Sequence, residues 1–543
     1  MRRIPEVNVV KKDWRKVDVK IGLCYPNIYR VGMTGLSLRL LYALLNSRED
    51  VACERFFMPT KDEPLLSLES NQPMNKFDVI AFTVQYEWDY ANLVRMLIKS
   101  GIPHKKSDRK RKPIVIAGGP CITENPEPLK EFIDVFIVGE AEPVVDDLID
   151  AVKNLEGGKI EDLSDIKGVY VPECSENVER VWVKDLDSAI HPVSQQIPLV
   201  DDNSPYMPIF GPTLCVEVVR GCGRGCRFCL IGFIGRPKRE RSLDHLIEII
   251  DEGVKRTPTR KISLIGAGLS DYSKLEELCE YIVSSGFKLS ISSLRPEVVS
   301  EDLANFLVKG GQKHVSLAPD AATERLRCII SKCIDEELIV NSAKTLLNAG
   351  IKRLKLYFIV GLPGETHEDI KAIGFLSRKI ADLGYGFKSI NLSINPFVPK
   401  PHTPFQWAGF VGINYAKNAF KEILKALGGD RRIVFGGMKP EVAFIQAILS
   451  LGDSSLSKAI ELAALYGGST SAWKKAFKET KINVQNFIRS KNFEDVLPWE
   501  YIRIGLNRTF LIREFEKALA EVPSPPCEVE CLKCGVCKND GDR

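Results

Sequence analysis

VEVVRGCGRGCRFCLIGF, residues 216–233, carries Cys222, Cys226 and Cys229 at Cys-x3-Cys-x2-Cys spacing. The apolar run just before it, Leu214–Val219, reads as a β-strand giving way to a loop. Iron–sulfur cubanes are ordinarily held by four thiolates, so three on one loop leave one iron without a protein ligand. An open coordination position is where a metal does chemistry rather than scaffolding. Gly221, Gly223 and Gly225 let the loop wrap closely around a bulky inorganic core, and Phe228 adds an apolar wall. A zinc site would want a fourth ligand nearby, and no Cys or His lies between Leu230 and Asp244.

Downstream, strand and helix patterns alternate to about residue 400, with strand candidates at 214–219, 262–265, 289–292, 314–317, 354–360 and 390–394. Such an order predicts a β/α barrel, whose active site lies at the C-terminal strand ends. The cluster loop follows the first strand. The second runs into Gly266-Ala267-Gly268 and the third into Ser292-Ser293-Leu294-Arg295. The fourth leads to APDAATERLR (318–327), the fifth is YFIVGLPGE (357–365), and the sixth ends in NPFVPKPHTPFQW (395–407).

The cysteine spacing, the aromatic residue before the third cysteine and the ordered strand-end motifs resemble the radical S-adenosylmethionine (SAM) superfamily. The resemblance implies a catalytic [4Fe–4S] cluster on Cys222, Cys226 and Cys229, whose open iron chelates SAM. It further implies reductive cleavage of SAM to a 5′-deoxyadenosyl radical and a reductant such as ferredoxin or flavodoxin. Gly266, Ala267 and Gly268 stand where the family holds the SAM amino group, although the acid of its Gly-Gly-Glu-like motif is missing. Ser293, Ser316, Asp320 and Glu324 stand in the SAM-contacting segments, with Phe228 beside the cluster. Ile359, Gly361 and Glu365 match the adenine motif Gly-x-Ile-x-Gly-x3-Glu, with Tyr357 in place of its first glycine.

Residues 1–160 alternate buried-strand runs (19–24, 78–84, 113–117 and 135–138) with helical patterns, which predicts a doubly wound α/β domain. Its strand ends carry Gly118-Gly119-Pro120 and Gly139-Glu140-Ala141-Glu142, the candidate ligand edge of an open sheet. Together with YPNIYRVGMTGLSLRLLYALLN (25–46), these turns resemble the cobalamin-binding-like domain that precedes many radical SAM cores, with Gly118, Gly119, Gly139 and Glu140 as cofactor candidates. The Asp-x-His-x-x-Gly motif is absent, so cobalamin would bind without a lower histidine, or the domain has lost it.

Residues 161–210 read as a β-rich linker, 211–405 as the core, 406–522 as helical and 523–543 as a metal-binding tail. The predicted class is α/β: a Rossmann-like domain, a partial (β/α)6 TIM-type barrel and a helical region with a cysteine-rich tail. Cys527, Cys531, Cys534 and Cys537 offer four thiolates in eleven residues, enough for an auxiliary [4Fe–4S] cluster or a tetrahedral zinc. The compact spacing is the more ferredoxin-like. VPSPP (522–526), just before it, reads as a stiff strut of open direction.

The chain has 543 residues, enough for about two to four domains. A net charge of +4 does not by itself imply a nucleic-acid partner, and the basic run Arg236, Lys238, Arg239, Arg241 reads as steering an anionic substrate to the barrel mouth. With no apolar run of membrane-spanning length and no signal-peptide pattern at the start, a cytoplasmic protein is expected. Its scattered cysteines, Cys328 and Cys333 among them, are then expected as unbridged buried thiols. Two alternatives stand beside a SAM-cleaving enzyme of unknown substrate with cobalamin-dependent methyl transfer as one outcome. One is RNA methylthiolation, with Cys24, Cys53 and Cys121 as an auxiliary cluster site; the other is a non-catalytic Fe–S carrier or redox module.

Overall fold

The computed structural model describes residues 4–60, 63–109, 112–155, 159–527, 531 and 533–537. The N-terminal sheet contains β1 (Val19–Tyr25), β2 (Val51–Phe57), β3 (Val79–Thr83), β4 (Ile114–Gly118), β5 (Val135–Ile137) and β6 (Val169–Tyr170). Their order is β2-β1-β3-β4-β5-β6, parallel except for the antiparallel β5–β6 pair. This is the flavodoxin-like order, whose ligand crevice opens at the β1/β3 switch point. Strand residues point alternately to two faces. Ile21, Leu23 and Ile116 pack toward α1 (Ser37–Ser47) and α3 (Val145–Lys153). Ile80, Phe82 and Val115 pack toward α2 (Tyr90–Lys99).

The sequence patterning finds four of these strands, assigns the β6 segment to the linker and misses β2. Its run VACERFF looks interrupted by charge, but Arg55 is wholly buried and paired with Glu6 at 2.6 Å and Glu69 at 2.7 Å. Neutralised charges of this kind can sit in a core strand.

The second unit contains β7 (Leu214–Arg220), β8 (Arg239–Glu240), β9 (Lys261–Gly266), β10 (Lys288–Ile291), β11 (His314–Asp320), β12 (Arg353–Val360), β13 (Ile390–Pro396) and β14 (Ile433–Gly437). They form two four-stranded sheets, β8-β7-β9-β10 and β11-β12-β13-β14, parallel apart from β8, which touch through a bridge between Leu294 and Leu317. Val216, Leu264, Leu317, Leu356 and Leu392 face the crossover helices in one core. The alternate positions, including Glu217, Ser263, Ser316, Tyr357 and Ser393, face inward. β14 adds a parallel strand beyond residue 405, pairing in register with β13.

The two units meet on that inner face. Leu36 and Leu40 at the start of α1 pack on Cys215 and Ile265, while buried Arg39 donates to Gln195 Oε1 and Cys215 Sγ, both at 3.1 Å. The helices Pro440–Leu451, Ser457–Leu465 and Thr470–Thr480 cover the α2 face of the first sheet, burying Ile448, Ile460 and Trp473. Among the described residues, no helix is long and apolar enough to cross a membrane.

Two cysteine expectations fail, and the first is Cys174, which is exposed because it sits in the turn after β6. Cys328 and Cys333 are disulfide-bonded, because the turn ending helix Glu324–Ile329 brings their Cα atoms to 4.5 Å.

Candidate active site

β7 delivers the cluster loop to the barrel mouth. At Gly221, φ is +77° and an added Cβ would lie 2.1 Å from the Gly235 carbonyl oxygen, so only glycine allows the turn. Cys222, Cys226 and Cys229 follow, each partly buried, with the Cys229 amide donating to the Cys226 carbonyl at 2.9 Å. Burial, with Cys226 nearby, pushes the Cys229 thiol up to about 12, and burial raises Cys222 as well. Thiolates there need a cation, which iron supplies on binding. The three sulfurs are not gathered within 4.8 Å of one another. Arg295 Nη1 lies 3.8 Å from Cys226 Sγ while holding Glu297 at 2.6 Å, and Arg224 is paired with Asp271.

The other strand ends close around this loop. An added Cβ on Gly268 would meet the Gly221 carbonyl oxygen at 3.1 Å, and one on Gly266 the Val219 carbonyl oxygen at 2.8 Å. These glycines thus let β9 approach the cluster loop, with Ala267 exposed between them. Phe228 and Ile359 are brought into one apolar cluster with Leu362, Phe397 and Phe405, as a flat apolar ligand would require. Gly361, at φ +85°, donates its amide to Glu365 at 2.7 Å, and Tyr415 donates to the same oxygen at 2.7 Å. Burial pushes the Glu365 carboxyl up to about 7 against those two hydrogen bonds.

The remaining sequence candidates are less engaged. Ser316 lies on the inner face with its carbonyl bonded to Leu294, and Ser293 is exposed just after β10. Asp320 has φ +63° and is held by Lys332 at 2.7 Å, and Glu324 is exposed in the first turn of its helix.

Sequence reading missed Arg227. Wholly buried between two of the cysteines, it donates to the carbonyls of Ile329 at 2.8 Å and Val522 at 2.7 Å and to Glu514. Its place inside the cysteine motif was the available signal. The three arginines of the basic run after the loop are structural rather than solvent-facing, and Lys238 pairs with Glu240 at 2.6 Å. Arg236, Arg239 and Arg241 are buried: Arg239 binds Glu140 at 2.8 Å and Arg241 the Ala189 carbonyl at 3.2 Å, tying the barrel to the first domain and the linker.

A cavity of about 490 Å³ runs along the α1/α3 face of the first sheet, over Leu23, Ala81 and Ile116, and opens beside Arg220, Gly221 and Ile265 of the barrel. Gly118 lines it too, and an added Cβ there would make ordinary contact with Ile137 at 3.6 Å. Gly119 and Gly139 are demanded by the backbone: φ is +113° and +109°, and an added Cβ would strike the carbonyl oxygens of Val84 and Val181. Glu140 lines the same space, but Arg220 and the Val183 amide, at 2.8 and 2.9 Å, join Arg239 in binding its carboxylate.

Residues 216–376 match the radical SAM superfamily model and residues 37–172 the model for the N-terminal part of radical SAM proteins. An uncharacterised protein of Methanocaldococcus jannaschii is 34% identical over 450 residues, 82% of this chain and 91% of its own length. The chain belongs to the radical SAM superfamily. It is therefore an enzyme that uses a [4Fe–4S] cluster and SAM, which sets aside the non-catalytic carrier. The structure of the radical SAM methyltransferase TsrM from Kitasatospora setae, with cobalamin and a [4Fe–4S] cluster bound, shares its fold. The TM-score is 0.55 at 13% identity, covering 85% of this chain and 98% of that one. A tRNA-2-methylthio-N(6)-dimethylallyladenosine synthase of Pseudomonas fluorescens is 27% identical over 202 residues, 34% of this chain and 44% of that one. The auxiliary cysteine site considered for such an enzyme does not assemble here. Cys24 and Cys121 lie in the core on the α2 face of the first sheet and Cys53 in the core on the other.

Proposed function

We propose that this radical SAM enzyme is a cobalamin-dependent methyltransferase acting on carbon, with Cys222, Cys226 and Cys229 as its cluster ligands. The observation that carries the reading is the cavity that runs between the first sheet and α1/α3 to Gly221, the residue before Cys222. Its walls are mainly apolar and it lies at the β1/β3 switch point. When bound, the cluster supplies an electron to the SAM sulfonium and cobalamin carries a methyl group. The chain's own part is to hold and exclude. Gly266 and Gly268 bring backbone against the cluster loop, Phe228 and Ile359 offer an apolar slot for adenine, and Arg295 offsets negative charge at Cys226. The electron donor is a low-potential protein such as ferredoxin or flavodoxin, in a reducing cytoplasm.

Anaerobic gel filtration with hydroxocobalamin tests this reading. The enzyme should retain about one equivalent, and after reduction to Co(II) its EPR spectrum should lack nitrogen splitting from a lower ligand. Ala81→Trp, which fills the cavity, should abolish retention while SAM cleavage persists. A wild-type enzyme that retains no cobalamin removes methyl transfer and leaves the superfamily assignment standing.

A further inference from the structure

We propose that Cys527, Cys531, Cys534 and Cys537 hold a second [4Fe–4S] cluster that relays electrons to the catalytic one. It rests on the superfamily assignment and is independent of cobalamin.

Four thiolates complete the ligand set of a cubane and leave no open iron, so such a cluster can carry electrons but cannot bind SAM. The structure places this ligand set against the catalytic loop. From helix Arg508–Leu519 the chain passes Val522, whose carbonyl accepts from Arg227 at 2.7 Å. Ser524 then exchanges two hydrogen bonds with Ser331, each at 3.2 Å. The Cys527 amide next donates to the Gly223 carbonyl at 2.6 Å. Gly223 is the neighbour of Cys222, so the nearest ligand residues of the two sets lie on the order of 10 Å apart along the backbone.

The rest of the set is gathered there too. Cys531, Cys534 and Cys537 lie near the Cys527 thiol. Cys534 is buried, and its carbonyl accepts from the Asn507 amide at 2.9 Å.

The relay balances. A low-potential one-electron donor protein reduces the tail cluster, and that electron passes to the catalytic cluster. It then enters the sulfonium–C5′ bond of SAM, which breaks to methionine and the 5′-deoxyadenosyl radical. The tail cluster returns to its oxidised state, with one electron taken in and one consumed.

The test uses full-length enzyme reconstituted anaerobically, beside Cys531→Ala/Cys537→Ala. Wild type should hold about eight irons and the variant about four, and the variant's remaining EPR signal should still respond to SAM. Flavodoxin-driven SAM cleavage should fall about tenfold or more in the variant, while cleavage driven by titanium(III) citrate stays within about twofold. Wild type with about four irons, zinc in the tail, or equal losses with both reductants overturns the proposal. Should the variant lose both clusters, freeze-quench EPR of wild type with reduced flavodoxin decides. The SAM-insensitive signal must appear before the SAM-sensitive one, and the reverse order overturns the relay.

Discussion

Arg227 and Glu514 are 287 residues apart in sequence and lie side by side at 3.2 Å, both buried, behind the cluster loop. Arg227 also holds the Ile329 and Val522 carbonyls, so one guanidinium ties the loop to the disulfide-bonded turn, the last helix and the tail. Glu514 in turn accepts from Ser524 Oγ and Lys517, both within 2.9 Å. The loop that carries the cysteines is thus braced from behind by the C-terminal region.

Glu514→Ala should therefore be strongly destabilising. Breaking a buried pair leaves an uncompensated charge and costs about 3–5 kcal/mol. Urea unfolding should show a lower midpoint at an unchanged slope, and replacing Arg227 by Met in the same chain should recover part of the loss. A change below about 1 kcal/mol would show that Arg227 is satisfied by its carbonyl partners alone.

Cys226→Ala should remove about four irons from reconstituted enzyme and abolish reductant-dependent 5′-deoxyadenosine. Product formation by that variant would contradict the ligand assignment. Its far-UV circular dichroism should match wild type, because Cys226 is only partly buried and sits in a loop.

What could be read without coordinates follows local chemistry. Cys222, Cys226 and Cys229, and the glycines at 221, 266, 268 and 361, declare themselves because a thiol ligand or a tight backbone approach demands one residue type. Strands β1, β3, β4 and β5 were legible as apolar runs. The failures share a cause, which is long-range pairing. Arg55 in β2 finds Glu6 and Glu69, and Arg239 finds Glu140, 99 residues away, so charges that look solvated are buried. The return of the tail to Gly223 depends on Arg227, Ser331 and Ser524 meeting, and no short-range pattern encodes that meeting.

Glu365 should make stability fall across neutral pH. Burial raises its carboxyl from 4.5 to about 7, so its contribution is full below about pH 4.5 and is lost as pH rises through about 7. Glu365→Gln removes that ionisation and keeps an oxygen to accept from Gly361 and Tyr415. Above pH 7 the variant should be more stable than wild type by up to about 3 kcal/mol, and the gap should close toward pH 4.5. Parallel stability profiles for the two proteins would show that the carboxyl titrates alike in the folded and unfolded chain.

Lys400 presents the opposite case, a cation placed between acids. In the segment after β13 its ammonium contacts Glu87 and lies 3.2 Å from Glu124, with both carboxylates buried and Gln446 bonded to Glu87 at 3.0 Å. Glu87, Cys121 and Glu124 are the one trio of potential metal ligands within 4.8 Å among the described residues, and Lys400 already supplies the positive charge there. Burial works against separate charges here, drawing the ammonium down and pushing the Glu124 carboxyl up, while their contact opposes both shifts. Lys400→Met leaves the buried Glu124 carboxyl, which burial already pushes up, without its cation. Groups raised in the folded state lose stability as pH rises, so the penalty should be small near pH 4.5 and grow to about 3–5 kcal/mol by pH 8. Unfolding curves at the two pH values measure it, and a pH-independent loss would mean that Lys400 acts by packing alone.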